Sequence, residues 1–237
     1  MDIVYTLKPS LTNEELIYSL RSLCNIPHER VYFIGGCPIN LNKKYITHVP
    51  TEVQSTKYKT TTHNLSVAVN LPELSEDFIW MNDDFFILHE IKNPKEELNL
   101  YKGTIKHVLE DFERRHGILV NYMKGAQQTI EYLSTLGISY PLEYELHTPF
   151  IYNKQKAKQM LELPGIHEVP VLYKRSVYGN LYMNGGTQIK DVKVLRATKI
   201  DYKQFDARKF LSTSDITWND VAPYLKSKFP DKSCYEL

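Results

Sequence analysis

The run Asp77-Phe78-Ile79-Trp80-Met81 places the tightest constraint on how this chain can fold. Four consecutive large apolar residues with no alternation suit a strand buried on both faces, the hallmark of a parallel sheet covered by helices on either side. The run ends abruptly in Asn82-Asp83-Asp84, so three polar groups, two of them ionised, sit at the carboxyl end of a buried strand. Open α/β sheets place their ligands there. Two adjacent carboxylates beside an apolar strand need water, hydrogen-bond donors or a cation as compensation. A divalent ion such as Mg²⁺ or Mn²⁺, which prefers oxygen ligands and bridges carboxylates to phosphates, would supply it. The same three residues also suit a strand-end turn in which Asn and Asp bond to nearby backbone groups.

The preceding segments agree with an α/β fold. Ile3 to Tyr5 reads as a short strand, and Thr12-Asn13-Glu14-Glu15 as a helix start, with Thr12 as cap and Leu16, Leu20 and Leu23 at helical spacing. Val31 to Ile34 forms a second strand closed by Gly35-Gly36, which completes a βαβ unit. Tyr45 to Val49 gives a third strand and Thr62 to Leu71 a helix. Further on, the pattern predicts a long helical stretch from Thr104 to Leu136 interrupted near Gly117 and Gly125. It also predicts strands at Tyr144 to His147 and Val169 to Lys174, a helix at Lys154 to Leu161, and a terminal helix from Trp218 to Phe229 stopped by Pro230. A single catalytic unit over residues 1–237 is expected.

Composition enters where partners are concerned. The chain has 237 residues, 42 % of them hydrophobic, enough for a sizeable core. The start, MDIVYT, lacks the basic and apolar stretches of a signal peptide, and no later run approaches the ~20 apolar residues of a membrane span. A soluble, cytoplasmic protein without membrane partners is therefore expected. Cys24, Cys37 and Cys234 are widely separated and lack the spacing of a zinc or redox motif. The formal charge is −5 up to Phe150 and +6 beyond it, so the C-terminal part is the basic one. Lys190, Lys193, Arg196 and Lys199 recur at spacings of three or four and would line one face of a helix, a possible contact for a polyanion such as DNA. An ordinary solvated surface is the alternative.

Other candidates are less local. His147, before Thr148-Pro149, has the titration range of a general base. Arg175, beside Lys174, has the fork geometry for phosphate. The segment from Tyr178 to Gly186 is polar, aromatic and glycine-bearing, suited to close approach of a sugar or base. No phosphate-loop, dinucleotide or His-Glu-x-x-His motif is present, which argues against kinases, P-loop NTPases, nicotinamide dehydrogenases and zinc proteases.

Taken in order, several blocks resemble the Stealth family of sugar-phosphate transferases, a group that includes bacterial capsule polymerases, and small phage-encoded sugar-transferase-like proteins. Ile3-Val4-Tyr5-Thr6 is similar to the family's opening Asp-Val-Val-Tyr-Thr. Glu15-Leu16-Ile17-Tyr18-Ser19-Leu20-Arg21-Ser22 resembles its Glu-Leu-Arg-Tyr-Ser-Leu-Arg-Ser, and Phe78 to Asp84 its Phe-Ile-Tyr-Phe-Asn-Asp-Asp. His147-Thr148-Pro149 is similar to a His-x-Pro motif, Arg175 to a later arginine, and Phe229 to Glu236 to the closing Phe-Pro-x-x-Ser-x-Phe-Glu. The family's Trp-Val-Asp after the first strand is replaced here by Leu7-Lys8-Pro9.

The resemblance implies a GT-A-like nucleotide-sugar fold with a mainly parallel central sheet. It implies Mg²⁺ or Mn²⁺ at Asp83 and Asp84, catalytic roles for His147, Arg175 and Asp84, and donor contacts from Tyr5, Thr6, Arg21 and His63. The expected function is metal-dependent glycosyl transfer from a nucleotide-sugar, to a hydroxymethylated DNA base in a phage setting (and so in the host cytoplasm) or to a glycan. Sugar-1-phosphate transfer to a polysaccharide is the alternative chemistry. A non-catalytic nucleotide-sugar-binding or nucleic-acid-binding protein is the alternative class.

Overall fold

The computed structural model describes residues 1–117, 120–195 and 200–237. Its centre is a five-stranded sheet built from β1 (Asp2–Leu7), β2 (Val31–Gly35), β3 (Ile46–Val49), β4 (Asp77–Met81) and β7 (Phe150–Asn153), in the order β3-β2-β1-β4-β7. β1, β2, β3 and β4 run parallel, and β7 joins β4 antiparallel at the edge. The expected α/β class and mainly parallel sheet are what the chain adopts. β4 occupies the expected residues, and its four apolar side chains are all buried.

β1, β2 and β4 are buried on both faces because helices cover both, whereas the edge strand β3 is partly exposed. Alternate side chains of β1 enter different cores: Val4 joins Leu65, Ala68 and Val69 of α2 (Lys57–Val69), while Ile3 and Tyr5 join Leu16 and Leu20 of α1 (Glu14–Ser22). Period-2 side chains of one strand thus meet period-3.6 stripes on two opposite helices. α1 is capped by Asn13, whose Oδ1 accepts from Leu16 N at 3.0 Å, and not by Thr12. Glu15, three residues after Thr12, accepts from Thr213 Oγ1. α2 begins five residues earlier than the expected Thr62, because Thr56 accepts from Lys59 N and starts it there.

The remaining elements surround this frame. β5 (Phe85–Ile87) leads to the short α3 (Pro94–Glu97) and β6 (Leu100–Tyr101), followed by α4 (Ile105–His116) and α5 (Asn121–Thr135). Gly117 ends α4 with φ 74°, a left-handed cap that suits glycine. Gly125 does not interrupt anything: it lies inside α5, where a Cβ would run into Val171. After β7 come α6 (Lys154–Leu161), as expected, and α7 (Lys174–Tyr182). Next are β8 (Thr187–Gln188), parallel to β6, the short α8 (Lys203–Asp206), β9 (Phe210–Ser212), antiparallel to β5, and α9 (Trp218–Lys228).

Two expected strands are absent. Val169 to Tyr173 is loop and turn, Lys174 begins α7, and the segment read as a polar, glycine-bearing stretch from Tyr178 is largely the second half of α7. Tyr144 to His147 is extended but joins no ladder. Its polar groups find side-chain partners on α7 instead.

The chain end is tied back to α1. Arg21 donates through Nε and Nη2 to the two carboxylate oxygens of Glu236, at 2.9 and 2.7 Å, and through Nη1 to the Phe229 and Pro230 carbonyls. Both partners are largely buried, at 12 % and 7 % side-chain exposure. No helix among the described residues is long and apolar enough to cross a membrane.

Candidate active site

The carboxyl ends of β1 and β4 open onto a cleft of about 1150 Å³, walled by the loop before β7, by the start of α7 and by the segment after β8. Asn82 and Thr6 line it at the strand ends. Asp83 and Asp84 stand behind Asn82 and do not form its wall. Asp83 Oδ2 accepts from Asn13 Nδ2 at 2.6 Å. Asp84 Oδ2 accepts from Lys193 Nζ at 3.0 Å and Ser212 Oγ at 3.2 Å, and Lys193 in turn lines the cleft. Burial, and then the adjacent Asp84, pushes the Asp83 carboxyl above its ordinary range. Glu15 is raised in the same way, by burial and then by repulsion from Asp84 and Asp83.

This turn is therefore short of positive charge even with Lys193 beside it. Among the described residues no group of three or more His, Cys, Asp or Glu side chains surrounds a single point. The fit to a divalent ion is that of hard oxygen donors completed by a ligand's phosphates, as Mg²⁺ commonly takes one or two carboxylates plus phosphate oxygens. Among the described residues, the side-chain contacts above engage only Oδ2 of each aspartate.

The second wall is the extended segment 142–148. Leu142 exchanges two hydrogen bonds with the Asn180 carboxamide, at 2.8 Å each. Tyr144 N donates to Ser176 Oγ at 3.0 Å. The Leu146 and Thr148 carbonyls, on either side of His147, both accept from Arg175 Nη1. The Glu145 carboxylate accepts from the backbone N of Arg175 (2.8 Å) and Ser176 (3.2 Å), so it occupies the positive end of α7. α7 thus supplies with side chains what a neighbouring strand would supply with backbone. Glu143, Glu145 and His147 alternate along this segment and all line the cleft.

His147 is held by Asp191. Its Nδ1 lies 2.9 Å from Asp191 Oδ2 and 3.1 Å from Oδ1, and its backbone N donates to Oδ1 at 3.2 Å. The Asp191 carboxyl sits well below the usual range: burial opposes ionisation, but the hydrogen bonds and charge of His147 outweigh it. A carboxylate on Nδ1 fixes the ring and leaves Nε2 as the atom able to accept a proton. The ring also meets the edge of Phe85 at 6.2 Å.

At the start of α7, Arg175 is 7 % exposed, with its guanidinium 5.2 Å from the Phe85 ring. Its first effect is to fix the carbonyls flanking His147. Lys174 Nζ donates to Thr61 Oγ1 at 2.9 Å, and burial pulls this lysine down to about 8, against the attraction of Glu145. Tyr58, Tyr122 and Tyr173 stack on one another in succession along the adjoining wall, with ring centroids 6.3 and 4.7 Å apart, and Tyr58 is at one end of the stack.

The structure brings His147, Arg175 and Thr6 to one cleft and separates the other expected donor contacts from it. Tyr5 is fully buried, its hydroxyl bonded to Ser19 Oγ at 2.9 Å in the core under α1. Arg21 is engaged by Glu236. His63 is exposed on α2 outside the cleft. Its neighbour Asn64 is the buried member of that block, donating to Thr6 Oγ1 at 2.8 Å and to the Ile34 carbonyl.

The basic helical face is also corrected. Residues 190–195 form no helix, Lys193 is paired with Asp84, and Arg196 and Lys199 lie outside the described residues. Glu143 and Asp191 were not singled out as site residues from sequence, whereas Lys174 was read with Arg175 as a phosphate-binding pair. The period-2 pattern Glu143-Tyr144-Glu145-Leu146-His147 was a signal for the first. Nothing in the sequence around Asp191 pointed to His147, 44 positions away.

No protein-family model matches the sequence, and no curated protein does either. Solved structures do resemble the fold. The galactosyltransferase LgtC, in complex with donor and acceptor sugar analogs, aligns over 98 % of this chain and 98 % of its own, with a TM-score of 0.51 and 10 % identity. An active-site mutant of LgtC gives 0.50. The glycosyltransferase GlyE of Streptococcus pneumoniae TIGR4 aligns over 97 % of this chain and 60 % of its own at a TM-score of 0.42 and 11 % identity, too loose a match to carry an argument. At such identities the likeness establishes the fold, which is the GT-A architecture.

Proposed function

We propose that the chain, as one catalytic unit related to the Stealth transferases, is a glycosyltransferase that takes its sugar from a nucleotide-sugar donor and passes it to a hydroxyl of a glycan. The observation that carries this reading is the convergence in one cleft of Asn82 from the β4 turn, the Lys174-Arg175 cations and the His147–Asp191 pair, on a GT-A architecture. Folds alone do not fix function, so the weight rests on that convergence.

In this reading the diphosphate lies between the β4 turn and the start of α7. Lys174 and Arg175 offset its charge, and Tyr58, at the end of the tyrosine stack, gives the base a surface. Asp83 and Asp84 would hold Mg²⁺ or Mn²⁺, which when bound neutralises charge on the leaving diphosphate. His147 Nε2 takes the proton from the acceptor hydroxyl. The hydroxyl oxygen forms a bond to the anomeric carbon, and the bond from that carbon to the diphosphate oxygen breaks, its electron pair leaving with the nucleotide. Asp191 stabilises the imidazolium that results.

The test is to incubate the protein with a panel of nucleotide-sugars, Mg²⁺ or Mn²⁺ and candidate glycans, and to identify products by mass spectrometry. Release of nucleoside diphosphate with a hexose-sized gain on the acceptor is expected. Release of monophosphate would instead assign sugar-1-phosphate transfer. No product from any donor would overturn the reading.

A further inference from the structure

Three acids line the wall formed by residues 142–148 and the segment after β8, and two of them have a visible task. Glu145 accepts from the α7 backbone and Asp191 from His147. Glu143 has none. It is 3 % exposed, its Oε2 is buried without a hydrogen-bond partner among the described residues, and Lys102 Nζ stands 3.9 Å from its Oε1, beyond hydrogen-bond range. A buried carboxylate oxygen left unpaired is destabilising, and a native structure that keeps one calls for a reason.

Slack backbone is not that reason. Glu143 N donates to Gly103 O and Lys102 N donates to Glu143 O, both at 2.8 Å. The residues on either side are clamped by Asn180 and Ser176. Gln188 Nε2 braces the other flank through the Lys102 carbonyl at 3.1 Å. The side chain is thus held at the cleft wall on rigid supports, with acceptor capacity unfilled.

Building on the proposed function, we propose that Glu143, with Lys102 beside it, is a sugar-hydroxyl subsite, its carboxyl group bonding a ring hydroxyl of the sugar that lies next to His147. The charged and titratable groups around it are Lys102, Glu145, Asp191, Tyr122 and Tyr173. Burial, reinforced by Glu145 and Asp191 and opposed by Lys102, pushes the Glu143 carboxyl up to about 7. A hydroxyl donates to the ionised form and accepts from the protonated form, so it suits both states. A phosphate or carboxylate ligand would meet repulsion from three acids. The sugar is either the one transferred or the one accepting, since both approach His147.

The experiment compares wild type with Glu143→Leu and the milder Glu143→Gln. Calorimetric titration with a nucleoside diphosphate and with its nucleotide-sugar, without acceptor, isolates the donor sugar, while acceptor KM isolates the other. The bare nucleoside diphosphate should bind all three proteins within about twofold. Nucleotide-sugar affinity, or acceptor KM, should worsen by roughly tenfold or more in Glu143→Leu, as expected for losing a hydrogen bond to a charged group. A deoxy analogue lacking the bonded hydroxyl should impose the same factor on wild type and none on Glu143→Leu. Because the replaced oxygen has no protein partner, the Tm of Glu143→Leu should not fall. Unchanged sugar affinity and KM in both variants, with nucleotide binding intact, would overturn the subsite alone. A wild type that binds no nucleotide would overturn the proposed function and the subsite with it.

Discussion

The frame strands between Asp2 and Met81 and the wall segment 142–148 are held in different ways. In the frame, backbone pairs with backbone in parallel ladders, and side chains are free to fill two cores. In the wall, backbone pairing is confined to residues 141–143, which meet 102–105; the side chains of Asn180, Ser176 and Arg175 bind its other backbone groups, and Glu143, Glu145 and His147 line the cleft. A ladder is tolerant of any one side chain. A wall held by side chains depends on each of them, and it can present Glu143, Glu145 and His147 at fixed positions.

If the frame's task at its open end is to present the β4 turn, the largest effect should come from Asp84→Ala. Turnover is expected to fall by about 10³-fold, several kcal/mol of transition-state stabilisation, while far-UV circular dichroism stays that of the folded protein. Full activity in this variant, or in excess EDTA, would remove the turn and its metal from the account.

The frame itself should break at Arg21. Removing one partner of a buried ion pair costs about 3–5 kcal/mol, so Arg21→Ala is expected to lower the midpoint of urea unfolding strongly without altering turnover per folded molecule. The Glu236 carboxyl is lowered from its ordinary value: burial opposes ionisation, and Arg21 outweighs it. The stability this pair contributes is therefore fully present above pH ~4.5 and is lost as pH falls through the lower folded value. A loss of donor affinity in Arg21→Ala at unchanged stability would return the residue to the donor site.

How legible each region was follows from the same difference. β4, the βαβ unit and α6 could be read because apolar periodicity reports backbone pairing and burial directly. Residues 144–147 carried strand character, but the partner that decided their state was a helix read as a basic strand end followed by a polar, glycine-bearing segment. The site was half legible. Asn82 to Asp84, His147 and Arg175 stand out by residue type and resemblance, and Lys174 by its place beside Arg175. Asp191 and Glu143 acquire meaning only from neighbours 44 and 41 positions away in sequence. Arg21 shows the converse, a motif residue whose partner at the chain end makes it structural.

A sharper test of the wall is Asn180→Ala, which leaves the Leu142 N–H and carbonyl without partners. About 1–3 kcal/mol of stability should be lost, and amide exchange should accelerate at Leu142 and Tyr144 while the β1 and β4 amides stay protected. Uniform loss of protection would mean that the wall and frame are not distinct.

The smallest expected effect is a pH dependence. Lys174, lowered to about 8, is cationic below that pH and neutral above it, so affinity for a nucleoside diphosphate should decline by about tenfold between pH 7 and 9. Lys174→Arg should flatten the profile. A flat wild-type profile would take Lys174 out of phosphate binding.

The most direct measurement is the position of a bound nucleoside diphosphate in a crystal of the protein soaked with the nucleotide and Mn²⁺. The account predicts density for the diphosphate between the Asn82–Asp84 turn and Lys174-Arg175, with the base against Tyr58. Nucleotide bound elsewhere, such as in the smaller cavity between Glu97 and Phe210, would contradict it.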